Sequence, residues 1–479
     1  MTQLDAIIVG SGFGGSFSAE RLIAAGLRVA MIERGPWRDS TGVRNAGILQ
    51  RQPFPQGRHM LSHFVSRISS PQLPASGWVT HANGLYDLHL QRDINVLCSS
   101  SVGGGSQVYT AMNVAPAVDG FWDARADGLD NVQMQQITAA CIDRMGARAP
   151  TLADQIPNFI GQRFADDAPF AAHPDQPAMS YDLAQGSFRS NSFFGCENSD
   201  KKTLDVHILL PLIARGLQLF DQHEVVTFER TAQGHWRVTL LDRRSDSYRQ
   251  LQAPRLILAA GTLNTLRLLF GARAAGAIGA LPALGLGFGG NGDSLAYWAL
   301  KDVNADYSIG TPCHGRFVIR GRETDCPDLT SYGISGVDHL LLPQRARQWL
   351  KQGVLVVGMG ADEANGQVTW RNNRLRITYS AQANPILGKL HQTFDDIAKL
   401  SGKKVYHLPR LTLTVHPLGG ARVDDNPRRG VVDGCGQVHQ HPGLYVADGS
   451  ALPAAPGAPP SMPIAAWATH VASRIAAQG

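Results

Sequence analysis

The residues that indicate chemistry most clearly stand near the start of the chain. The hexapeptide GSGFGG at residues 10–15 follows an apolar run at residues 6–9. Glycines in a G-x-G-x-x-G pattern let the backbone approach a pyrophosphate, and the amides that begin the following helix can bind phosphate oxygens. Glu33 ends the next apolar run, where a carboxylate accepts hydrogen bonds from a ribose 2′-hydroxyl and repels a 2′-phosphate. Together these residues predict a dinucleotide site.

The three glycines of the pattern have separate tasks in such a site. Gly10 permits the tight turn, Gly12 allows close approach to the phosphates, and Gly15 allows the helix to pack against the strand. A glycine-rich turn without a ligand is the alternative. The complete strand–loop–helix–strand context, closed by Glu33, favours the ligand.

One βαβ unit positions this loop. The apolar runs at residues 6–9 and 28–32 predict buried parallel strands. Apolar residues at helical spacing predict a helix over residues 16–25, which Gly26 ends.

Buried strands of the same kind are predicted far along the chain, at residues 255–261 and 444–449. The second of these ends in Asp448 and Gly449. A carboxylate and a backbone amide there would lie beside the ribityl phosphate of a flavin cofactor. A strand from the far end of the chain suits a cofactor that extends well beyond the first βαβ unit. This arrangement favours FAD over NAD, and no second dinucleotide motif is present.

The middle of the chain has a different pattern. Short runs between residues 315 and 380 predict an antiparallel sheet, and residues 40–84 predict long loops with short helices. Further elements are predicted as helices over residues 131–144, 384–401 and 461–477, and as strands over residues 224–229, 235–241, 353–359, 366–370 and 375–379.

The order of these patterns predicts an α/β fold, with a discontinuous Rossmann-like FAD-binding domain and a substrate domain that contains an antiparallel β-sheet and helices. The predicted boundaries are residues 1–45, 85–118, 202–296 and 405–479 for the FAD-binding domain, and residues 46–84, 119–201 and 297–404 for the substrate domain.

Composition excludes several other classes of protein. Charged residues make up 17% of the chain, and 51 of its 479 residues are glycine, which argues against a disordered chain or a coiled coil. The net charge of +5 comes without a run of five or six basic residues, so no nucleic-acid partner is expected. The six cysteines form no C-x-x-C pair, so neither a metal site nor a disulfide framework is expected.

The N-terminus lacks the pattern of a secretory signal, and no stretch of about 18 apolar residues is present. A cytoplasmic protein without a transmembrane segment is therefore expected.

A set of motifs, taken in order, resembles one enzyme family. Its members are VGSGFGG at residues 9–15 with Glu33, VGGGS at 102–106 extending to Met112, KTLD at 202–205, AAGTLNT at 259–265, residues 285–292, HPLGG at 416–420 and YVADGS at 445–450. The set resembles the glucose–methanol–choline (GMC) flavoprotein oxidoreductases, most closely their cholesterol-oxidase-like branch. The resemblance implies bound FAD and oxidation of an alcohol by hydride transfer to flavin N5.

The resemblance also implies which residues hold the cofactor. By position these are Gly10, Gly12, Phe13, Gly14 and Gly15 for the pyrophosphate, Glu33 for the ribose, Gly104, Gly105, Ser106 and Met112 along the flavin, Val226 at the adenine through its backbone, Asp448 and Gly449 at the ribityl and phosphate region, and Pro460, Ser461 and Met462 at the flavin N1–C2=O edge. A helix N-terminus at that edge would stabilise the reduced, anionic flavin.

His416 is the residue that the resemblance assigns to the chemistry. In the family, the histidine of this motif faces the flavin and hydrogen-bonds the substrate oxygen. An imidazole can accept the hydroxyl proton near neutral pH. Tyr109, which replaces an Asn of the family, and Tyr332 are predicted to assist.

Two departures from the family pattern stand out. The family has a second polar side chain, Asn or His, where this chain has Pro459, which has no side-chain donor. The cholesterol-oxidase branch also draws a carboxylate from the substrate-domain sheet. The matching stretch here, SYGI at residues 331–334, contains no acid.

Three hypotheses follow. The first is an FAD-dependent enzyme that oxidises the CH–OH group of an apolar or bulky small-molecule alcohol, with His416 as proton acceptor and O2 or another molecule as electron acceptor. The second is a non-oxidative FAD enzyme of the same family (a lyase, isomerase or decarboxylase), which the departure at Pro459 favours. The third is a binding protein that retains FAD.

Overall fold

The computed structural model describes residues 3–123, 125–184, 186–188, 191–323 and 327–478, so Cys326 lies outside the described residues. The α-helices are α1 Phe13–Ala24, α2 Thr41–Asn45, α3 Met60–His63, α4 Asn131–Arg144, α5 Leu210–Ala214, α6 Thr262–Ala274, α7 Gln344–Lys351, α8 Pro385–Ser401 and α9 Ser461–Ala477.

The strands fall into sheets of two to six members. In chain order they are β1 Ala6–Val9, β2 Val29–Ile32, β3 Trp37–Arg38, β4 Arg51–Gln52, β5 Val65–Ser69, β6 Trp78–Val79, β7 Tyr86–His89, β8 Asn95–Ser99, β9 Phe170–Ala172, β10 Asn191–Ser192, β11 Gly195–Cys196, β12 Gln218–Phe220, β13 His223–Arg230, β14 Trp236–Asp242, β15 Ser247–Ala253, β16 Arg255–Leu258, β17 Leu286–Phe288, β18 Ser294–Ala299, β19 Cys313–Ile319, β20 Asp328–Tyr332, β21 Val354–Met359, β22 Gly366–Arg371, β23 Arg374–Thr378, β24 Lys404–His407, β25 Leu413–Thr414 and β26 Leu444–Val446.

A five-stranded parallel sheet brings together distant parts of the chain. Its order is β12-β2-β1-β16-β26, and every neighbouring pair is parallel. Strands β1, β2, β16 and β26 are buried almost throughout, as the continuous apolar runs predict. Helix α1 begins at Phe13, three residues earlier than predicted, because the glycines of the loop already adopt helical geometry. Helix α9 packs along α1 and α4.

A six-stranded antiparallel sheet forms the second large layer, with the order β24-β18-β21-β20-β19-β9. The predicted antiparallel architecture is therefore confirmed. The α/β fold class, with a parallel and an antiparallel sheet, is confirmed as well. The predicted domain boundaries stay a prediction.

The membership of the antiparallel sheet was predicted wrongly in one respect. Strands β22 and β23 do not join it but form a separate sheet with β17. The physical reason is packing, since Trp370 of β22 stacks on Phe270 of α6, with ring centroids 6.2 Å apart and planes only 3° apart. This contact holds the hairpin against the layer that carries the parallel sheet.

Residues 40–84 contain more regular structure than predicted. Strands β5 and β6 join β7, β8 and β25 in a mixed five-stranded sheet. The strands are short and only partly buried, so the sequence shows no clean period. Arg38, fully buried, fastens this region by donating from its guanidinium to the carbonyl oxygens of Asn83 (2.8 Å) and Gly84 (2.9 Å). Burial lowers the pKa of Arg38 to about 9.

Within the described residues, no helix has both the length and the apolar character needed to cross a membrane.

Candidate active site

One cavity of about 500 Å³ lies where the two large sheets meet. The carboxyl ends of the parallel strands form one side, and Tyr332 and Met359 of the antiparallel sheet form part of the other. Most of the residues that the sequence analysis predicted line its wall. They are Gly10, Gly12, Phe13, Gly14, Glu33, Gly104, Gly105, Tyr109, Met112, Tyr332, His416, Asp448, Gly449, Pro460 and Ser461.

Two glycine-rich loops meet at one part of this cavity. A Cβ added at Gly104 would lie 2.7 Å from the Cα of Gly12, so the loops at residues 10–15 and 103–105 touch through their backbones. A Cβ added at Gly12 would meet nothing closer than 3.9 Å and would therefore not be blocked by protein atoms. Gly12 precedes α1, and the first amides of a helix have no partners within it. We call this part of the cavity, formed by residues 10–15, residues 103–105 and Glu33, the glycine end.

Glu33 is fixed by its own hydrogen bonds beside the glycines. One carboxylate oxygen accepts the Ser11 hydroxyl at 2.7 Å and the Ser11 amide at 3.1 Å, and the other accepts the Gly35 amide at 2.7 Å. Burial raises the pKa of Glu33, and these hydrogen bonds oppose the rise. The Ser11 hydroxyl also accepts the amide of Gly103 at 3.0 Å, which ties the carboxylate to the second glycine loop.

Asp448, on the cavity wall, joins the segment at residues 261–265 to its own segment at residues 448–450. Its carboxylate accepts the Gly261 amide at 2.9 Å and the Thr265 hydroxyl at 2.5 Å on one oxygen, and the Ser450 hydroxyl at 2.6 Å on the other. Burial raises the pKa of Asp448. The carboxylate is thus used mainly to hold the ends of β16 and β26 in place.

The N-terminus of α9 also opens onto the cavity. Pro460 caps this 17-residue helix, and both Pro460 and Ser461 line the wall. The Ser461 hydroxyl donates to the Met112 carbonyl at 3.3 Å. A long helix therefore directs its positive end into the site.

Four predicted residues lie outside the cavity wall, and their contact with a cofactor stays a prediction. Gly15 is used in packing, because a Cβ there would lie 1.9 Å from the Gly10 oxygen. The Ser106 hydroxyl donates to the Gly103 carbonyl at 2.7 Å. Met462, in α9, is fully buried. Val226 is 44% exposed, and it is the neighbouring Val225 that lines the cavity.

The two predicted tyrosines lie on the wall, but their hydroxyls bond to other groups. Tyr109 donates to the Lys202 carbonyl at 2.7 Å, and Tyr332 donates to the Met112 sulfur at 3.1 Å. Burial raises the pKa of both phenols. In this arrangement neither hydroxyl contacts His416.

His416 lines the same cavity and has a partner that the sequence analysis missed. Its Nδ1 lies 2.9 Å from Oδ1 of Asp293. Asp293 stands in GGNGD at residues 289–293, directly after a segment that matched the family pattern, and that position was the available signal. The stretch at residues 331–334 indeed contains no acid, but a carboxylate from another segment lies beside the histidine. The acid comes from the turn before β18 instead of from β20.

Pro459 also lines the cavity, and the two residues before it are hydrogen-bonded to Asn291. Asn291 accepts the Gly457 amide at 3.1 Å and donates to the Ala458 carbonyl at 3.0 Å. The turn at residues 289–293 thus contacts both the His416 segment and the Pro459 segment. This part, formed by His416, Asp293 and residues 457–460, is called the histidine end.

The glycine end fits a dinucleotide cofactor. The space beside Gly12, where a side chain would lie, holds no protein atom closer than 3.9 Å. The start of α1 faces the cavity, and the Glu33 carboxylate is fixed by hydrogen bonds just after β2. The cavity continues from there to the N-terminus of α9, which suits a cofactor longer than a single nucleotide.

Comparisons with known proteins agree with this geometry. Residues 361–468 match a family model described as GMC oxidoreductase. A cholesterol oxidase of Mycobacterium tuberculosis strain H37Rv is 26% identical over 98% of this chain and 90% of the relative, and one of Acinetobacter baumannii is 23% identical over 99% and 94%.

Two solved structures share the fold. A fungal aryl-alcohol oxidase superposes with a TM-score of 0.57 at 13% identity, over 100% of this chain and 99% of the other. Pyridoxine 4-oxidase from Mesorbium loti superposes with a TM-score of 0.59 at 15% identity, over 98% and 99%. The predicted resemblance to the GMC oxidoreductases is confirmed.

Proposed function

We propose a reaction for this chain, of which residues 361–468 match the GMC oxidoreductase family model and which is similar along its length to cholesterol oxidases. It binds FAD and oxidises the CH–OH group of an apolar or bulky small-molecule alcohol. O2 or another small molecule reoxidises the cofactor, and His416 accepts the hydroxyl proton.

The observation that supports this proposal most directly is the joining of the two ends in one cavity. The glycine end would hold the pyrophosphate and ribose, with the Glu33 carboxylate at the sugar. His416 lies on the wall of the same cavity, beside the start of α9. When bound, FAD supplies the hydride acceptor at flavin N5. The chain supplies the pocket, the orientation and a base for the proton.

The composition of the wall supports an apolar substrate. Phe64 lies between Tyr86 and Phe194, with ring centroids 5.2 Å and 5.9 Å away, and all three line the cavity. Val357 and Met359 of β21 add aliphatic surface. Such a wall favours a substrate with a large apolar body. The similar proteins act, by their names, on cholesterol, aryl alcohols or pyridoxine.

Anaerobic mixing with candidate alcohols tests the proposal. Cholesterol, an aryl alcohol and pyridoxine are added separately to the FAD-loaded protein, and the flavin absorbance is followed. We expect at least one apolar alcohol to bleach it.

His416→Ala should retain FAD and slow bleaching about 1,000-fold. His439→Ala, whose Nε2 lies 2.8 Å from the Asp424 carbonyl, is the control and should react at the wild-type rate. Equal rates in all three proteins would contradict the role of His416.

Pro459 supports a second candidate, a non-oxidative reaction. Proline at this position adds no side-chain donor to the histidine end. In this case substrate would be consumed without accumulation of reduced flavin or of peroxide. Product analysis by mass spectrometry in the same anaerobic mixtures separates the two candidates, because only net oxidation gives one reduced flavin for each product molecule.

A further inference from the structure

Asp293 holds His416 through a hydrogen bond that has a chemical consequence. The turn at residues 289–293 is attached to the histidine segment by Gly289 and Leu418, whose amides and carbonyls pair at 3.0 Å in both directions. From this turn the Asp293 carboxylate reaches Nδ1 of His416 at 2.9 Å. The Asp293 side chain is 8% exposed and that of His416 is 23% exposed.

The two oxygens of Asp293 have different partners. Oδ2 accepts the Thr414 hydroxyl at 2.8 Å and the Val415 amide at 3.1 Å, which fixes the carboxylate. Oδ1 accepts from His416. The structural contacts are therefore made by one oxygen, and the other is directed at the imidazole.

This pairing determines where the imidazole carries its proton. A carboxylate only accepts hydrogen bonds, so the ring nitrogen facing it must be the donor, which is Nδ1–H. In the neutral ring the other nitrogen, Nε2, then carries a lone pair. Among the described residues, none forms a hydrogen bond with Nε2. That nitrogen is thus available to a ligand in the cavity.

Among the described residues, His416 is the basic side chain that pairs with Asp293. Two groups of the neighbouring segments face Asp293 electrostatically, Asp362 and Tyr379. Within the described part of the chain, no Lys or Arg forms an ion pair with Asp293. The basic group within hydrogen-bond distance of its carboxylate is the His416 imidazole.

We propose that Asp293 is a positioning residue that fixes His416 in the Nδ1–H form, with Nε2 as the acceptor of the substrate hydroxyl proton. The inference rests on the proposed function. In this step the O–H bond of the alcohol breaks and an Nε2–H bond forms. The ring becomes cationic, and the Asp293 carboxylate stabilises it. Asp293 thereby supplies a polar partner to the histidine in a site where Pro459 supplies none.

Nitrogen-15 NMR of histidine-labelled protein tests the proposal independently of turnover. His416→Ala identifies the signals of His416. We expect, near pH 7.5, a protonated Nδ1 and an unprotonated Nε2. An Nε2–H tautomer in the wild-type protein would overturn the proposal, and this measurement needs no Asp293 variant.

Rapid anaerobic reduction gives the second measurement, with the alcohol found active above. Asp293→Asn should retain FAD, lose the uniform Nδ1–H tautomer and reduce the flavin about 10- to 100-fold more slowly. Asp362→Asn is the matched control. Asp362 is also buried and accepts the Gly290 amide at 2.7 Å in the same turn, but it does not contact His416. It should lower thermal stability and leave the reduction rate within about threefold of wild type.

The outcomes distinguish the two proposals. If no alcohol reduces the wild-type flavin, the proposed function fails, whereas the NMR result still decides the tautomer. If the wild type is reduced and Asp293→Asn matches Asp362→Asn in rate and tautomer, the positioning role is overturned.

Discussion

The two ends of the cavity are built from different parts of the chain. The glycine end consists largely of backbone, with two loops so close that a Cβ at Gly104 would lie 2.7 Å from Gly12. The histidine end consists of side chains from separate segments, with Asp293 bonded to His416 and Asn291 bonded to residues 457–458.

This difference explains what a substitution can do at each end. At the glycine end, an added methyl group meets backbone that cannot move aside, or else enters the space that a cofactor needs. At the histidine end, a substitution removes a hydrogen bond or a proton acceptor and leaves the backbone path intact. The glycine end should therefore control folding and cofactor affinity, and the histidine end should control the rate of reaction.

Gly10→Ala should have the largest effect on stability. Gly10 has φ +103°, and its added Cβ would lie 2.1 Å from the Ala259 carbonyl oxygen. We expect a loss of about 4 kcal/mol or more in the free energy of unfolding, measured by denaturant titration. Gly216→Ala is the control, because φ is +101° there and nothing lies within 4 Å. It should cost about 1–2 kcal/mol, and equal losses in the two variants would refute the packing argument.

Gly12→Ala should separate cofactor affinity from folding. Gly12 has φ −70°, which any residue adopts, and its added Cβ would lie 3.9 Å from the nearest protein atom. The cofactor-free variant should unfold within about 1 kcal/mol of wild type. Its affinity for FAD, measured by fluorescence quenching, should fall about tenfold or more. An unchanged affinity would mean that no ligand approaches this residue.

Asn291→Gly should have a moderate effect on stability at the histidine end. The variant removes two buried hydrogen bonds but suits the φ of +58° better than Asn does. We expect a net loss of about 1–3 kcal/mol. Asn373→Gly has the same φ in an exposed turn and should be close to neutral. If Asn291→Gly were equally neutral, the amide would not hold residues 457–458 in place.

Asp5→Asn should have the smallest effect on stability, because Asp5 belongs to neither end of the cavity. The hydrogen bond from Arg28 lowers the pKa of Asp5 to about 2. A carboxyl with a lowered pKa adds stability above its ordinary pKa and loses that stability as the pH falls toward 2. Because the pair is partly exposed, the Tm at pH 7 should fall by only about 1 °C or less. Wild type and variant should converge between pH 4 and pH 2, and a constant difference over that range would contradict the assignment.

The glycine end was predictable from the sequence because its requirements are local. A strand, three glycines, a helix and Glu33 follow one another within residues 6–33, and the structure keeps that order. The histidine end was not predictable in the same way. Asp293 and His416 are 123 positions apart, and their contact depends on the turn before β18 meeting the segment after β25. Strands β22 and β23 were misplaced for a similar reason, since the stacking of Trp370 on Phe270 has no local signature.

The central claim is that one end of the cavity holds the cofactor and the other performs the reaction. Anaerobic stopped-flow reduction of Gly12→Ala and His416→Ala, each saturated with FAD and mixed with the same alcohol, tests it directly. We predict that Gly12→Ala needs more FAD but is then reduced within about threefold of the wild-type rate. We predict that His416→Ala binds FAD like wild type and is reduced about 1,000-fold more slowly. A slow Gly12→Ala together with a fast His416→Ala would contradict the account.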